Sequence, residues 1–260
     1  FGDSYTDVTL RTTGGAMWPD YVSGYARAAA HSFAIGGGVC SEVLTPRPKG
    51  PVMEKQIPAF KAKMKALNLD MSKTVFTLWI GTNDIGHNML VDGVQPKGVT
   101  MVDVARCGVD WVKTLYALGA RNFISFSMVP LDRAPSYTKP NKNMELLREL
   151  IATGNTMRHL MLEAIAPTLP GAHIGYFYTN GLFTDIMTHP KNYLNGTAPL
   201  NGASTILDCK AKGGCVKKSD WDSYLWHDDL HPSEQANRIV AREIAAVMKG
   251  KVSPWIGWVS

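Results

Sequence analysis

The sequence predicts an α/β fold, a three-layer α/β/α sandwich in which helices cover both faces of a central parallel sheet. The chain alternates short runs of β-branched and aromatic residues with longer stretches that repeat apolar residues every three or four positions. Strands that alternate with helices in this way form parallel sheets. The length of 260 residues, with 45% hydrophobic and 19% charged residues, suits one globular domain spanning residues 1–260.

The first predicted elements lie in the N-terminal third of the chain. A small-residue stretch at 21–30 is a helix candidate, and the apolar run 32–35, which ends in glycines, predicts a short buried strand. After a proline-rich loop at 41–53, apolar residues recur at helical spacing up to Leu67. Pro58 interrupts this stretch and favours a helix start at that point.

The run 74–80 is the clearest strand in the sequence, because it is rich in β-branched and aromatic residues and stops at Gly81. Asn83 follows this strand directly. Ligands bind beyond the carboxyl ends of strands in open α/β sheets, so Asn83 is a site candidate. Thr100 and Asp103 predict the start of the next helix.

The second half of the chain continues the alternation, with elements predicted at 122–129 (strand), 141–166 (helix), 173–178 (strand) and 182–187 (helix). The inward stripe predicted for the long helix consists of Leu146, Leu150, Met157, Leu160 and Met161. Residues 191–226 form a long irregular segment, and such segments are often functional. Ser233 caps a final helix that runs to about Lys249.

A serine near the start of the chain is the candidate nucleophile. Residues 1–4, Phe-Gly-Asp-Ser, place Ser4 at the exposed tip of a tight turn. A serine hydroxyl acts as a nucleophile when an adjacent base takes its proton. Asp228 and His231 lie three residues apart near the other end of the chain, a spacing at which the carboxylate can orient the imidazole. These residues predict a Ser-His-Asp triad.

Two further segments offer hydrogen-bond donors for an oxyanion. Residues 34–38 (Ala-Ile-Gly-Gly-Gly) present bare backbone N–H groups, and residues 80–84 present the Asn83 amide after an apolar run. Backbone and amide donors are what stabilise the oxyanion in acyl transfer. Asn83 could instead cap a helix, and Gly36 and Gly38 could serve only a tight turn.

These four segments, in this order, resemble the sequence blocks of the GDSL or SGNH hydrolase family. Gly2-Asp3-Ser4 matches the first block, the glycine run the second, residues 81–84 the third and Asp228 to His231 the last. Within the family, the chain looks most like fungal secreted acetylesterases of carbohydrate esterase family 16. The sequence segments that carry this closer resemblance are residues 78–84, 182–186, 193–200 and 230–235.

The resemblance implies a flavodoxin-like three-layer sandwich that carries serine esterase activity and needs no metal or organic cofactor. Ser4 would attack the ester carbonyl, His231 would take the serine proton, and Asp228 would orient the imidazole. The N–H groups of Ser4 and Gly37, together with the Asn83 amide, would hold the oxyanion.

Some assignments depend on the family's spacing. Gly37 is selected by counting from Ser32, which stands where the family usually has asparagine. The Asp-x-x-His spacing selects Asp228 over Asp229, which is expected to be a surface carboxylate. Asp3 is expected to be structural, holding backbone N–H groups in its turn.

Three large side chains next to these blocks have simpler interpretations. Trp79 lies within a predicted strand and is expected to pack in the core. Trp226 is left open between core packing and stacking on a sugar ring, and His227 between lining the mouth of the site and surface exposure. The remaining histidines are expected to be surface or hydrogen-bonded residues.

Charge and hydropathy argue against several classes of partner. The net charge is +5, and the densest basic cluster, at 210–218, lies in a glycine-containing loop without interleaved aromatic residues. This pattern favours a solvated surface over a nucleic-acid site. No apolar run approaches the roughly 18 residues of a membrane span. We therefore expect no nucleic-acid or membrane partner, and a monomer by default.

The cysteines and one asparagine favour secretion. Cys209 and Cys215 bound a short loop that a disulfide could close, and their spacing does not suit a metal site. Whether Cys40 pairs with Cys107 is left open. Asn195 begins an Asn-Gly-Thr glycosylation acceptor. Together these features predict an extracellular glycoprotein.

The resulting hypothesis is a secreted serine esterase that removes short acyl groups, above all acetyl, from small acylated carbohydrates. A lipase or phospholipase of the same family is the first alternative, and the polar character of 191–226 argues against it. A non-catalytic carbohydrate-binding protein on the same fold is the second. Every position expected to be catalytic carries the residue type that the family uses there, so the sequence does not indicate that catalytic activity has been lost.

Overall fold

The computed structural model describes residues 1–47, 49–138, 143–197, 199–209 and 214–259. Its α-helices are α1 (Trp18–Ala26), α2 (Ile57–Leu67), α3 (Thr82–Ile85), α4 (Met101–Ala117), α5 (Met144–Ile165), α6 (Thr179–Thr188) and α7 (Glu234–Met248). Its β-strands are β1 (Val75–Leu78), β2 (Asn122–Phe126), β3 (His173–Phe177), β4 (Asn201–Thr205), β5 (Leu207–Asp208), β6 (Val216–Lys217), β7 (Tyr224–Trp226) and β8 (Ile256–Trp258). A π-helical turn at Val52–Gln56 leads into α2.

The central sheet has the strand order β1-β2-β3-β8. β1, β2 and β3 run parallel, and β8 pairs antiparallel with β3 at one edge. Beyond the other edge, Gly2 forms a parallel bridge with Trp79. The predicted α/β fold with a mainly parallel sheet is confirmed. The antiparallel strand β8 was not predicted, because it is only three residues long and follows the last helix.

Helices lie against both faces of this sheet. Successive side chains of a strand point to opposite faces, so Phe123 and Phe126 of β2 lie on different sides. The Phe126 ring packs on Trp18 of α1, and α1 packs against α7. The Phe123 ring packs on Trp111 of α4, and α4 packs against α5. These contacts make the three layers.

The strand predicted at 32–35 is wrong. The segment is extended, but among the described residues its one backbone hydrogen bond to another segment runs from Ile35 N–H to Gly2 O at 3.2 Å, before the chain turns at the glycines. The turn comes too early for a ladder to form. The helix predicted at 21–30 also begins earlier, at Trp18, and ends before Arg27, which takes the left-handed conformation.

The predicted inward stripe of α5 is correct in part, because Leu150 and Met161 are half-buried against the core, but the fully buried positions lie about one residue away. The buried residues of α5 are Leu147, Ile151, Gly154, Arg158 and Leu162. The predicted members Leu146 and Leu160 are 42% and 50% exposed. The helix turns this face inward because Gly154 leaves room for two methionines, whose methyl carbons would lie 2.5 and 2.6 Å from an added Cβ. The predicted start at Asn141 lies outside the described residues.

The segment 191–226 is less irregular than predicted. It contains β4, which pairs in parallel with β7, and a small antiparallel pair, β5 and β6. The part of the predicted basic cluster at 210–213 lies outside the described residues.

Two disulfides cross-link the structure. One joins Cys209 to Cys215, and the other joins Cys40, just after the glycine run, to Cys107 of α4, with the Cα atoms 6.2 Å apart. The question of the Cys40 pairing is thereby answered. Within the described ranges, no helix is long and apolar enough to span a membrane.

Candidate active site

The segment before Ser4 is held against the edge of the sheet. Phe1 N donates to Thr77 O at 2.9 Å, and Trp79 N–H donates to Phe1 O at 3.3 Å. Gly2 has a φ of +148°, and a Cβ there would lie 2.3 Å from Trp79 O. The buried Gln56 side chain holds Gly2 from the other side, accepting from its N–H and donating to its carbonyl. Only glycine allows this approach, which delivers Ser4 beyond the carboxyl end of the sheet edge.

Residues 3–7 form a helical turn directly after the sheet edge. The N–H groups of Thr6 and Asp7 both donate to Asp3 O at 3.0 Å, and Tyr5 N–H donates to Asp3 Oδ1 at 3.0 Å. Asp3 therefore organises the turn that carries Ser4 through backbone N–H groups, as predicted from the sequence. Its other oxygen, Oδ2, is buried without a hydrogen-bond partner among the described residues. Burial raises the pKa of Asp3 to about 7.

The structure brings the two ends of the chain together at Ser4. His231 Nε2 lies 2.9 Å from Ser4 Oγ, and His231 Nδ1 lies 2.8 Å from Asp228 Oδ2. Ser4 is 7% exposed. A nucleophile, a base within hydrogen-bond distance and a carboxylate behind the base form the arrangement that acyl transfer requires.

Asp228 is held as an anion by its own turn. Burial by itself would raise the pKa of Asp228, but hydrogen bonds from His231 and Leu230 and the charge of His231 outweigh it. The net pKa lies below the usual value. An ionised Asp228 can therefore stabilise a protonated imidazole during proton transfer.

Tyr5 joins the two chain ends, and sequence reasoning missed it. Its hydroxyl donates to Leu230 O at 2.9 Å, and its ring packs edge-on against His231 and Trp79. Tyr5 is 1% exposed. Its position directly after Ser4 was the only available signal, because the contact crosses 225 residues of chain.

The glycine run has one N–H group free of protein partners. Gly36 N–H donates to Asp7 Oδ2 at 2.8 Å, and Gly38 N–H donates to Ile35 O at 2.9 Å. Over the described ranges, the N–H groups of Gly37 and Ser4 donate to no protein acceptor. Gly37 and Ser4 therefore have backbone donors available for a ligand, whereas Gly36 and Gly38 do not.

Asn83 lies next to the glycine run. It is the second residue of α3, whose N-cap is Gly81, so its amide does not cap that helix. Instead, Nδ2 donates to Gly38 O at 2.9 Å, and Oδ1 accepts from Arg47 Nη1 at 2.8 Å. The neighbouring Asp84 is fully buried, and burial raises its pKa to about 6.

Asp84 ties the following loop to the same place. Its carboxylate accepts from Cys40 N–H at 3.1 Å and from the Thr45 hydroxyl at 2.7 Å. These contacts and the role of Arg47 were not predicted, because the loop residues carry no periodic pattern.

The alternatives left open by the sequence are decided by burial. Trp79 and Trp226 are 2% and 0% exposed, so both are core residues, and Trp226 has no face available for a sugar. His227 is also buried, and burial lowers its pKa. Asp229 is exposed, as expected, and its carbonyl accepts from Ser136 N–H.

The predicted glycosylation acceptor and the question of a metal site concern other parts of the described structure. Asn195 is exposed on the loop after α6. Among the residues that the structure describes, no group of three or more His, Cys, Asp or Glu side chains is placed to hold a metal ion.

Comparison with known proteins identifies relatives over nearly the whole chain. A family model described as GDSL-like Lipase/Acylhydrolase matches residues 1–244. The chain is 26% identical to an acetylesterase of Hypocrea jecorina, with 96% of this chain and 88% of the relative covered. It is 25% identical to an acetylesterase of Thermothelomyces thermophilus, with 92% and 76% covered.

More distant similarities were also found. A GDSL esterase/lipase of Arabidopsis thaliana is 24% identical, with 77% of this chain and 59% of the relative covered. Among solved structures, an acetylxylan esterase, Axe2, from Geobacillus stearothermophilus is 15% identical, with a TM-score of 0.47 and 96% and 92% of the two chains covered.

Proposed function

Because the chain belongs to the GDSL-like lipase/acylhydrolase family and is a carboxylic ester hydrolase, we propose that it removes acetyl groups from carbohydrates with a Ser-His-Asp triad. The observation that carries the proposal is the continuous contact from Asp228 through His231 to Ser4, with separations of 2.8 and 2.9 Å. Residues 1–260 are proposed to form the single catalytic domain.

The proposed reaction has two halves. Ser4 Oγ attacks the ester carbonyl carbon while His231 Nε2 takes the serine proton, and the tetrahedral oxyanion then collapses by breaking the bond to the leaving alcohol. His231 returns the proton to that alcohol oxygen, which leaves an acyl-enzyme. In the second half, water attacks the acyl carbonyl carbon and loses a proton to His231 Nε2, which forms a second tetrahedral oxyanion. This oxyanion collapses by breaking the bond to Ser4 Oγ, His231 returns the proton to Ser4 Oγ, and carboxylic acid is released.

The oxyanion is proposed to bind three donors. The N–H groups of Ser4 and Gly37 are free of protein acceptors in the described part of the chain, and Asn83 Nδ2 has a second hydrogen beyond the one given to Gly38 O. Donors fixed before the reaction stabilise the developing charge without reorganisation. No metal or organic cofactor takes part in this proposal.

The substrate assignment rests on the relatives. The two fungal proteins that the chain resembles over more than nine-tenths of its length are both named acetylesterases. A short acyl group and a small carbohydrate alcohol are therefore proposed, with the protein acting as an extracellular, glycosylated monomer. Asn195 is exposed, and the two disulfides suit an oxidising compartment.

The test compares hydrolysis of 4-nitrophenyl acetate and 4-nitrophenyl octanoate by the parent protein, Ser4→Ala, His231→Ala and the exposed-residue control His173→Ala. Preference for acetate, with loss of activity by several orders of magnitude in the first two variants only, supports the proposal. Preference for octanoate would favour a lipase. Full activity in His231→Ala would refute the triad. Release of acetate from acetylated xylo-oligosaccharides then tests the carbohydrate.

A further inference from the structure

Arg47 makes a direct contact with the candidate oxyanion site. It lies on the loop after the glycine run, and Nη1 donates to Asn83 Oδ1 at 2.8 Å. Asn83 is buried and Arg47 is half-buried, so this hydrogen bond is partly shielded from water. A hydrogen bond from a charged donor in such a place is stronger than a neutral one on the surface.

The contact fixes which end of the Asn83 amide faces the site. Arginine can only donate, so it must meet the amide oxygen, and the Gly38 carbonyl can only accept, so it must meet Nδ2. The amide therefore cannot flip without losing both hydrogen bonds. Its second N–H remains available, with no acceptor among the described residues.

Arg47 also brings a permanent positive charge to this amide. A guanidinium stays protonated throughout the pH range in which proteins fold. Polarising the amide carbonyl makes its N–H groups better donors, an effect that grows when the acceptor becomes negatively charged. In the described part of the chain, Arg47 forms no ion pair with a carboxylate that would neutralise this charge.

The loop that carries Arg47 is anchored by other residues. Thr45 Oγ1 donates to Asp84 Oδ1 at 2.7 Å, Ser41 Oγ donates to Glu54 Oε1 at 2.5 Å, and Cys40 is in a disulfide. Removal of the Arg47 side chain therefore leaves the main anchors of the loop in place. This separates the contact with Asn83 from a general role in loop folding.

We propose that Arg47 is a positioning residue for ester hydrolysis, which orients and polarises the Asn83 amide as an oxyanion donor. The proposal rests on the function proposed above. It assigns Arg47 no contact with the substrate, so its effect is expected in the chemical step and not in substrate binding.

A double-mutant cycle tests this role. The variants are Arg47→Met, Arg47→Lys, Asn83→Ala and the double variant Arg47→Met/Asn83→Ala, assayed for kcat and KM on 4-nitrophenyl acetate. Arg242→Met is the matched control, because Arg242 is an exposed arginine of α7 that makes no hydrogen bond to Asn83.

If Arg47 acts through Asn83, Arg47→Met lowers kcat by about ten- to a hundredfold, with KM within about twofold of the parent. Asn83→Ala lowers kcat by about a hundred- to a thousandfold. The kcat of the double variant then matches that of Asn83→Ala within about twofold, because Arg47→Met has no effect once the Asn83 amide is absent. Arg242→Met stays near the parent, and Arg47→Lys retains more activity than Arg47→Met.

Several results would overturn the inference. Losses in the double variant that equal the product of the single losses would show that Arg47 acts independently of Asn83. A raised KM with unchanged kcat in Arg47→Met would make it a substrate-binding residue. Parent-like kcat in Arg47→Met, with Asn83→Ala impaired, would refute the inference alone. Parent-like activity in Asn83→Ala would refute both the inference and the proposed oxyanion site.

Discussion

His231 contacts the Asp228 carboxylate twice, once through its backbone N–H at 2.6 Å from Oδ1 and once through its imidazole Nδ1 at 2.8 Å from Oδ2. The backbone hydrogen bond positions the carboxylate independently of the imidazole. His231 therefore helps to position the same carboxylate that orients its own side chain.

Asp228→Asn is expected to lower kcat by about three to four orders of magnitude, because an amide no longer selects the tautomer that leaves Nε2 able to accept the serine proton. Asp229→Asn is the matched control, since Asp229 is exposed and adjacent in sequence. Steady-state kinetics on 4-nitrophenyl acetate measure both. A larger loss in Asp229→Asn than in Asp228→Asn would contradict the assignment of the acid.

Asp3→Asn is expected to stabilise the folded protein at pH 8 and to leave its stability little changed at pH 4. Burial raises the Asp3 pKa from 3.8 to about 7, so between these values the folded state keeps a proton that the unfolded chain has released. The contribution of Asp3 to the free energy of unfolding of the parent therefore falls as the pH rises through this window and is lowest above about pH 7. Asparagine never ionises, so the variant avoids this loss, roughly 2–4 kcal/mol in free energy of unfolding.

Urea unfolding of the parent and of Asp3→Asn at pH 4, 6 and 8 measures the difference. The variant preserves the acceptor for Tyr5 N–H, since an asparagine side chain also carries Oδ1. A free-energy difference that stays constant across the three pH values would contradict the raised pKa.

Replacing Cys40 and Cys107 together by alanine is expected to lower the free energy of unfolding by about 4 kcal/mol, because the disulfide closes a loop of 67 residues. We also expect a loss of kcat, since Cys40 follows the glycine run that holds the Asn83 amide. The matched control is the Cys209→Ala/Cys215→Ala pair, whose loop of six residues predicts about 2 kcal/mol and no change in kcat. Equal losses of activity in both pairs would contradict the local role of the first disulfide.

Gly2→Ala is expected to destabilise the protein and to lower kcat, because its Cβ would lie 2.3 Å from the Trp79 carbonyl oxygen and would displace the turn that carries Ser4. Gly24→Ala in α1 is the control, since a Cβ there meets nothing within 4 Å. We expect Gly24→Ala to be neutral or to stabilise by up to about 1 kcal/mol. Thermal unfolding and esterase assays measure both variants. Parent-like behaviour of Gly2→Ala would show that the sheet edge can shift without moving the nucleophile.

The elements that the sequence predicted best have a strong local signal. The strand at 74–80 and the helix after Thr100 depend on β-branched residues and on a capping box, which the structure shows between Thr100 and Asp103. The fold class follows from the order of such elements. The approach of Ser4 to His231 was inferred from residue types and motif order, and the structure supplies the distances.

The failures have long-range causes. The inward face of α5 depends on Gly154 and on the buried Arg158, which donates to Ile80 O and Phe126 O. Neither residue is a large apolar residue, so a search for an apolar stripe selects a face that is displaced by about one residue from the buried one. Arg47 and Tyr5 were missed for a similar reason, since each acts through a contact with a residue far away in sequence.

Ser4 and His231 lie 227 positions apart in the sequence, and this separation has a consequence for biosynthesis. A ribosome makes Ser4 long before His231, so a nascent chain carries the serine through this whole interval without the imidazole that lies beside it in the folded protein. Under the proposed mechanism, hydrolysis becomes possible only after His231 has been made, α7 has docked and Tyr5 has bridged the two segments. On that proposal, the onset of activity marks the completion of folding.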